Sequence, residues 1–592
     1  MKFFRFFFAV AVLSLPAVLL RAELIPASRL VEWTPGLFVG VPGGIDQYLP
    51  GGTHARTHLI DVTQAPYNAD KNGVNDCHDA ILSAINTARN GDVVYLPAGT
   101  YLVNSRIYLF NKGNFTIRGD GDATVIASHA GDSVFYFGQN TEYIWKYPSG
   151  GVAITSGLTK GSTGLTVADA SAFSAGQLIN ITQDNDLTLP VVNLYNVKRV
   201  RNQKSRVISK TSSTITIFPG LYWTLSASLH PVIFATQYGS PAGIGIEDLK
   251  IDGSNTISGP GTILFEECMD SWVKNVHVYN SSNYHVYFKD CLQSEIRHCN
   301  LDQLQDQGSN GGGVLSEGNS ACLFEDNIIY KAFPSVEMNL GCSGNVFAYN
   351  FCLDSTSYGM VGASIDTNHA SHNSYNLYEG NIAANVECDG WSGGASEDTI
   401  FRNWLTSTSP RATGPRQPMM LKRFTRNYNV VGNILGTTGV SCATYSIGSP
   451  NIGNDSYTGT ASLINSSPWA SWTGYVAGTY SGGSGTGGFE EKDLDVQTTT
   501  VFKGNYNTQD AAIPAGEALG SDTLPNSFCR TTKPAFFGSL TWPAFDPTNV
   551  GTPSYDQIPA GYRYVHGIDP PGVGTAQMPS NAKTQIAVFF SR

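Results

Sequence analysis

Between Gly245 and Gly436 the chain repeats one small pattern: an apolar residue, up to two variable positions, an asparagine, and a second apolar residue. It runs through Val273-Lys274-Asn275-Val276, Cys299-Asn300-Leu301, Phe324 to Ile328, Phe347 to Phe351, Tyr378 to Ile382, Phe401 to Trp404 and Val431 to Ile434. The asparagines concerned are Asn275, Asn300, Asn327, Asn350, Asn381, Asn403 and Asn433, at spacings of 25, 27, 23, 31, 22 and 30 residues. Short apolar runs bounded by turn formers read as strands, and a recurrence of this length is the mark of a solenoid. The pattern therefore predicts stacked coils of a parallel β-helix, the longer spacings marking loops inserted into a coil. Asparagine is disfavoured inside strands but tolerates the left-handed conformation of a corner. Its amide can also bond the equivalent side chain one coil away, so the row is expected to form a ladder.

The flanking segments follow other periods. Asp76 to Asn86 has the i, i+3, i+4 apolar spacing of a short helix, and Gly91 to Val103 reads as turn and strand. Residues 150–240 alternate polar and apolar positions between Gly/Ser turns, which predicts a small antiparallel β insertion packed against the side of the helix. Residues 441–498 are rich in Gly, Ser and Thr and read as a long loop. Thr500 to Tyr506 reads as a returning coil, and Lys533 to Trp542 as a cap on the open C-terminal end, since uncapped solenoid edges invite aggregation. Lys2 and Arg5 precede the apolar run Phe6 to Leu20, with small Ala22 after it. This predicts a signal peptide over residues 1–22 and a secreted protein, extracellular or periplasmic, without a membrane anchor. The expected organisation is then an N-terminal cap and first coils over 23–149, the insertion, a β-helix core over 241–440, the loop, and a last coil with C-terminal cap and tail over 499–592.

Composition narrows the partners. The net charge of −11 argues against nucleic acid, which needs a basic face. Only 14% of the 592 residues are charged, while glycine (63) is abundant, as stacked strands and tight turns require. Most of the ten cysteines fall between Cys268 and Cys388; Cys268 and Cys291 are 23 residues apart, as are Cys299 and Cys322. That separation suits equivalent positions on neighbouring coils, so buried rows of free thiols are as consistent with it as disulfides. There is no Cys-x-x-Cys pair, and no metal-ligand set is read from the sequence.

The amphipathic helix followed by GDVVYLPAGTYLV (Gly91 to Val103) and NFTIRGDGDATVI (Asn114 to Ile126) resembles the N-terminal cap and first coils of the pectate-lyase/rhamnogalacturonase-like superfamily. The resemblance is specific over roughly residues 60–140, and the asparagine row extends it to residue 436. It implies an all-β fold, a right-handed parallel β-helix of the pectin-lyase type. It does not imply one reaction, because the superfamily hosts many. The polygalacturonase motifs Asn-Thr-Asp, Asp-Asp, Gly-His-Gly and Arg-Ile-Lys are absent, which speaks against a simple pectin hydrolase.

Alternation along the strands places the candidate chemistry. With Val336, Met338, Ile365, Val386, Cys388, Met419 and Leu421 pointing inward, Glu337, Asn339, Asp366, Glu387, Asp389 and Lys422 fall on one exposed stripe. Coils stack about 4.8 Å apart, which sets carboxylates on adjacent coils at about 5 Å and on alternate coils at about 10 Å. Those separations bracket the carboxylate pairs of glycosidases, and mutual repulsion would keep one of them protonated. His369 follows Asp366 closely and can shuttle protons; His372, Tyr358 and Trp391 offer sugar contacts; Arg411, Arg416, Arg423 and Arg426 bring positive charge that suits an acidic sugar. Three readings follow. The first is a glycoside hydrolase acting on a polysaccharide, with Asp366 and either Glu337 or Asp389 as acid and base and no cofactor required. The second is a lyase cleaving a uronate polymer by β-elimination, with Lys422 or Arg423 as base and Ca²⁺ on the acids. The third is a glycan-binding adhesin without catalysis.

Overall fold

The computed structural model describes residues 24–139, 151–186, 189, 191, 199–236, 239–306, 311–357, 359–389, 393–447 and 493–573. Each coil of the core contributes three strands. Successive coils run Glu295–Arg297, Asn300–Leu304, Val314–Glu317; then Leu323–Glu325, Ile328–Tyr330, Val336–Asn339; then Val346–Ala348, Phe351–Leu353, Ile365–Asp366; then Leu377–Glu379, Ile382–Ala383, Val386–Cys388. Every strand pairs in parallel with its equivalent on the next coil. The third strands form a ten-stranded sheet. The first and second share a 21-stranded sheet, because the early strands Phe115–Ser128, Ile244–Asp252 and Trp272–Ser281 run unbroken across both faces. The fold is thus the expected right-handed parallel β-helix.

Inside, like residues stack on like. Phe137, Phe265 and Phe288 stack at equivalent positions of the ten-stranded sheet, Phe324, Phe347 and Tyr378 at equivalent positions of the 21-stranded one, and the two rows meet across the core at Phe288 and Phe324, with successive ring centroids 5.1 to 6.5 Å apart. Parallel coils place each side chain over its equivalent, so one aromatic selects another of matching size above it.

The asparagine ladder exists, with a shifted membership. Asn327, Asn350, Asn381, Asn403, Asn433 and Asn505 stand at the corner between first and second strands, each Oδ1 accepting from the amide of the equivalent residue one coil earlier at 2.8–3.0 Å. The ladder ends on Glu517, which accepts from Asn505 Nδ2 at 2.8 Å. The left-handed residue is the one before each asparagine: Asp326, Tyr349, Gly380, Arg402, Gly432 and Gly504 all have φ between 50° and 66° or just above, at 68° for Gly380. Asn275 is itself such a left-handed residue (φ 51°), and Cys299, not Asn300, holds the first rung, its amide donating to Asn327. A second corner carries Asn345, Asn376 and Asp398 in the same way.

Asp398 closes that second row as a fully buried carboxyl, accepting from Asn376 N (2.8 Å), Asn376 Nδ2 (3.1 Å) and Tyr428 Oη (3.1 Å). Burial holds its pKa well above the ordinary carboxylate value. The folded protein therefore binds a proton that the unfolded chain releases, and this group's contribution to stability falls as pH rises above the ordinary aspartate range near 4. Asp398→Asn keeps the acceptor for Asn376 without the proton linkage. It is expected to raise Tm by a few degrees at pH 8 and by less at pH 4, as measured by calorimetry at both pH values.

All ten cysteines are free. Cys268 and Cys291 do occupy equivalent corners, each following a left-handed residue, Glu267 and Asp290. Cys299 and Cys322 follow His298 and Ala321 at two different corners, so their equal spacing reflects coil length and not stacking.

The insertion is a closed six-stranded antiparallel barrel built from Val152–Ser156, Gly164–Val167, Leu178–Thr182, Asn202–Lys210, Thr214–Phe218 and Val232–Ala235. It sits on a column of serines where Lys204 N donates to Ser320 Oγ (2.9 Å) and Ser343 Oγ donates to Asn202 O (3.2 Å). The helix His78–Thr87 buries Ile81, Ala84 and Ile85 against the first coil, as its spacing required. At the other end Val501–Lys503 returns to the sheet beside Asn429–Val431, and the short helix Leu494–Thr499 inserts Val496 into the end of the core. The segment from Lys533 to Trp542 does not cover that end. Phe537 and Trp542 pack sideways on Tyr349, because the outer faces of the 21-stranded sheet carry apolar residues that need cover. Farther along, Arg563 is buried on Asp326 at 2.7 Å. The expected signal peptide, and most of the Gly/Ser/Thr-rich loop, lie outside the described residues. Among the described residues no helix is long and apolar enough to cross a membrane.

Candidate active site

The ten-stranded sheet fixes a register that stacks Leu315, Glu337, Asp366, Glu387 and Met420 in one outward column. The strand Val336–Asn339 sends Val336 and Met338 into the core, which leaves Glu337 and Asn339 outside. Ile365, Val386 and Cys388 do the same for Asp366, Glu387 and Asp389. Stacking in a parallel sheet therefore brings together four carboxylates that the sequence spreads over fifty residues.

Three cations answer them. His369 Nδ1 lies 2.6 Å from Asp389 Oδ2 and 3.8 Å from Asp366 Oδ2. Arg416 is bound to Glu387 at 2.9 Å and donates to Val361 O at 3.0 Å. Lys422 Nζ stands 3.9 Å from Glu387 Oε1. The carboxylates are nearly enclosed, Asp366 at 4% and Asp389 at 8% exposure, and the cluster reaches solvent through His369 and Arg416, whose side chains are about a third exposed.

This packing separates the protonation states. Burial, reinforced by Asp389, Glu337 and Glu387, holds the Asp366 carboxyl well above the usual carboxylate range. Burial alone would lower His369, but the carboxylate of Asp389, then Glu337, outweighs it and the imidazole is held well above its ordinary value. Glu387 is raised by burial, with Arg416 and Lys422 acting against the shift, and Lys422 is lowered by burial against the pull of Glu387. One acid is thus kept protonated beside a second carboxylate already bound to an imidazolium.

Several residues expected at the site do other work. His372 is a buried left-handed corner (φ 68°), kept neutral by burial with its pKa pushed down to about 3. Arg426 is buried on Asp493 at 2.9 Å, 67 residues away in sequence. Arg411 is tied to Asp354 at 2.5 Å and to its carbonyl at 3.0 Å, bracing a loop. Arg423 is buried with its guanidinium 5.0 Å above the Phe424 ring. Asn339 faces the cluster with both ends of its amide engaged by protein. Tyr358 and Trp391 lie outside the described residues. A further member, Tyr284, donates its hydroxyl to Glu337 Oε2 from two coils away. Strict alternation with Val286 and Phe288 would send Tyr284 inward, yet it belongs to the outer cluster of Tyr136, Leu264, Tyr287 and Leu315. Gly312 lies beside it, where a Cβ would come 2.3 Å from Pro334 O and 2.9 Å from the ring.

A family model described as rhamnogalacturonase A/epimerase, pectate lyase-like matches residues 62–221. Over those residues the chain is similar to this pectate-lyase-like family, and its fold is a parallel β-helix. Among solved structures the β-helix is similar to the Pseudomonas phage phi297 tailspike gp61, with 12% identity over 66% of this chain and 67% of that one and a TM-score of 0.49. It is also similar to the A-module of the mannuronan C-5 epimerase AlgE4 of Azotobacter vinelandii (15% identity, 64% of this chain and 90% of that one, TM-score 0.34). An alginate lyase from Paenibacillus sp. aligns at 10% identity over 62% of this chain and 95% of that one, TM-score 0.36. No curated protein sequence matches the chain. At these identities the likenesses concern the fold alone.

Asp366, His369 and Asp389 can each bring one donor atom within 4.8 Å of the others. That set does not fit Ca²⁺, which takes six to eight oxygen ligands. One of the three donors is an imidazole nitrogen, Asp389 already accepts from it, and Glu387 and Glu337 are bound to Arg416 and to Tyr284 with Asn339.

Proposed function

We propose that the protein is a polysaccharide-cleaving glycoside hydrolase in which Asp366 is the general acid and Asp389 the nucleophile. The observation that carries this is the pairing of a carboxyl whose pKa is raised by burial and then by its acidic neighbours with a carboxylate held by His369, one oxygen of each within 4.8 Å of the other. Retaining glycosidases set their two carboxyls about 5–5.5 Å apart, inverting ones about 6.5–9.5 Å, so the separation favours retention. Asp389 attacks the anomeric carbon as the glycosidic C–O bond breaks, and the Asp366 proton passes to the leaving oxygen. Asp366, now ionised, takes a proton from water, whose oxygen displaces Asp389 from the sugar. His369 steadies the Asp389 carboxylate before the attack and again once water has displaced it. The family model matched by the first coils takes its name from a rhamnogalacturonase and epimerases, which accords with a polysaccharide substrate.

One observation favours a second reading. Lys422, lowered by burial, stands at the edge of the cluster where it could abstract a proton beside a uronate carboxylate, which is a lyase's first step. Incubation with plant and algal polysaccharides, following reducing ends and ultraviolet absorbance together, separates the two. Reducing ends without absorbance are expected for the hydrolase. Rising absorbance would transfer the assignment to elimination, and binding with neither signal would leave a glycan-binding protein.

A further inference from the structure

Asn339 joins two parts of the cluster that the β-sheet does not join. Its Nδ2 donates to Glu337 Oε1 at 2.6 Å, and its Oδ1 accepts from Ala370 N at 2.9 Å. Ala370 follows His369 directly, on the loop after Ile365–Asp366, one coil later. That loop is also held to the earlier coil by backbone bonds, from His369 N to Met338 O at 3.2 Å, from Leu340 N to Ala370 O at 3.1 Å and from Gly341 N to Ser371 O at 3.1 Å, none of which reaches Glu337. Glu337 is fixed from its other side by the Tyr284 hydroxyl, so both its oxygens are occupied by neutral donors. In the preceding coil the register partner of Asn339 is Glu317, which accepts from Tyr287 Oη at 2.9 Å. The inserted barrel presses on the same loop, where Val200 packs with Leu340 and Ala370 and Asn202 Nδ2 donates to Leu340 O at 2.9 Å.

We infer that Asn339 is a positioning residue: through its two-ended amide, with Glu337 anchored by Tyr284, it sets the place of His369 between Asp366 and Asp389. Glu337 on this view does not act on substrate; it is the fixed post from which the loop is hung. An amide meets the need at position 339 at every pH, because one end must donate to a carboxylate while the other accepts from a backbone N–H. A serine is too short to reach both, and a carboxylate has no donor.

The inference rests on the hydrolase reading for its kinetic consequence but not for its structural one, so two readouts are used. Asn339→Ala should lower kcat about 10²-fold at every pH, the loss typical of a catalytic group displaced by an ångström, with KM little changed. Asn339→Asp keeps the acceptor for Ala370 N and regains a donor to Glu337 only when protonated, so its activity should recover towards acid pH, a shift in profile that a bulk structural defect would not produce. Independently of any substrate, the His369 imidazole titration, followed by NMR of histidine-labelled protein and assigned with His369→Gln, should move towards the ordinary histidine value in Asn339→Ala. Tyr284→Phe, which keeps the ring, should move both readouts the same way by less, and it serves if Asn339→Ala does not fold. If His369 titrates in these variants as in the wild type, or if Asn339→Asp and Asn339→Ala share one pH profile, the inference is overturned. Should the wild type cleave no polymer, the hydrolase reading fails and the imidazole titration alone decides.

Discussion

Asp366→Asn is expected to lower kcat on the cleaved polysaccharide about a thousandfold while making the protein more stable at neutral pH. The first effect follows from removing a general acid, worth about 10²–10⁴ in rate. The second follows from the same crowding that makes the acid useful. In the folded protein Asp366 keeps its proton above the usual carboxylate range; in the unfolded chain it releases it near pH 4. Between those two values folding takes up a proton, so this group's contribution falls as pH rises. Asparagine replaces the neutral carboxyl with a neutral amide of the same shape and keeps the acceptor for Asn368 N, 3.0 Å away in the wild type. Initial rates and thermal melts from pH 4 to 8 would check both halves. Wild-type turnover in this variant would remove Asp366 from the mechanism, and a lower melting temperature at pH 7 would mean that its proton is not what the neighbours hold.

The second large effect is on the asparagine ladder. Asn350→Ala is expected to destabilise the protein by about 3–5 kcal/mol, seen as a lower urea midpoint. Asn350 Oδ1 accepts from Asn327 N and Nδ2 at 3.0 and 2.9 Å, while its own Nδ2 donates to Phe324 O and Asn381 Oδ1 at 2.9 and 3.1 Å. Truncation strands several buried polar groups at once, and each unsatisfied one costs about 1–3 kcal/mol. Asn300→Ala is the control. Asn300 has the same sequence signature but is partly exposed and lies outside the ladder, so its loss should stay within about 0.5 kcal/mol. Equal losses at the two positions would mean that the ladder adds nothing beyond local turn preference.

That contrast shows where the sequence could be read and where it could not. Coil length, the inward and outward sides of the strands and the stripe from Glu337 to Lys422 are all local alternation carried upward by stacking, and alternation is legible in a single chain. Which residue of a corner turns left-handed is not. The pattern points to asparagine, yet the turn is made one position earlier by Asp326, Tyr349 or Arg402, residues with no shared chemistry. His372 looked like a sugar contact for the same reason, standing among polar neighbours while serving as a corner. Arg411 and Arg426 were misplaced because their partners, Asp354 and Asp493, lie 57 and 67 residues off, a distance no periodicity spans. Tyr284 escaped because its strand departs from alternation at its first residue, which puts the ring in the outer cluster.

The left-handed corners have a consequence for assembly. Since the backbone geometry there tolerates varied side chains, successive corners present different hooks along one edge: Asp326 takes Arg563, Tyr349 takes Trp542 Nε1, and Arg402 takes the carbonyls of Pro525 and Phe545. The C-terminal stretch crosses this edge more than once, meeting Arg402 at Pro525, Tyr349 at Trp542, Arg402 again at Phe545 and Asp326 at Arg563, so its contacts span a fixed number of coils. It can close only on a helix with the right number of coils between Asp326 and Arg402, and a variant lacking one whole coil in that interval would stack well yet leave its tail unable to fasten.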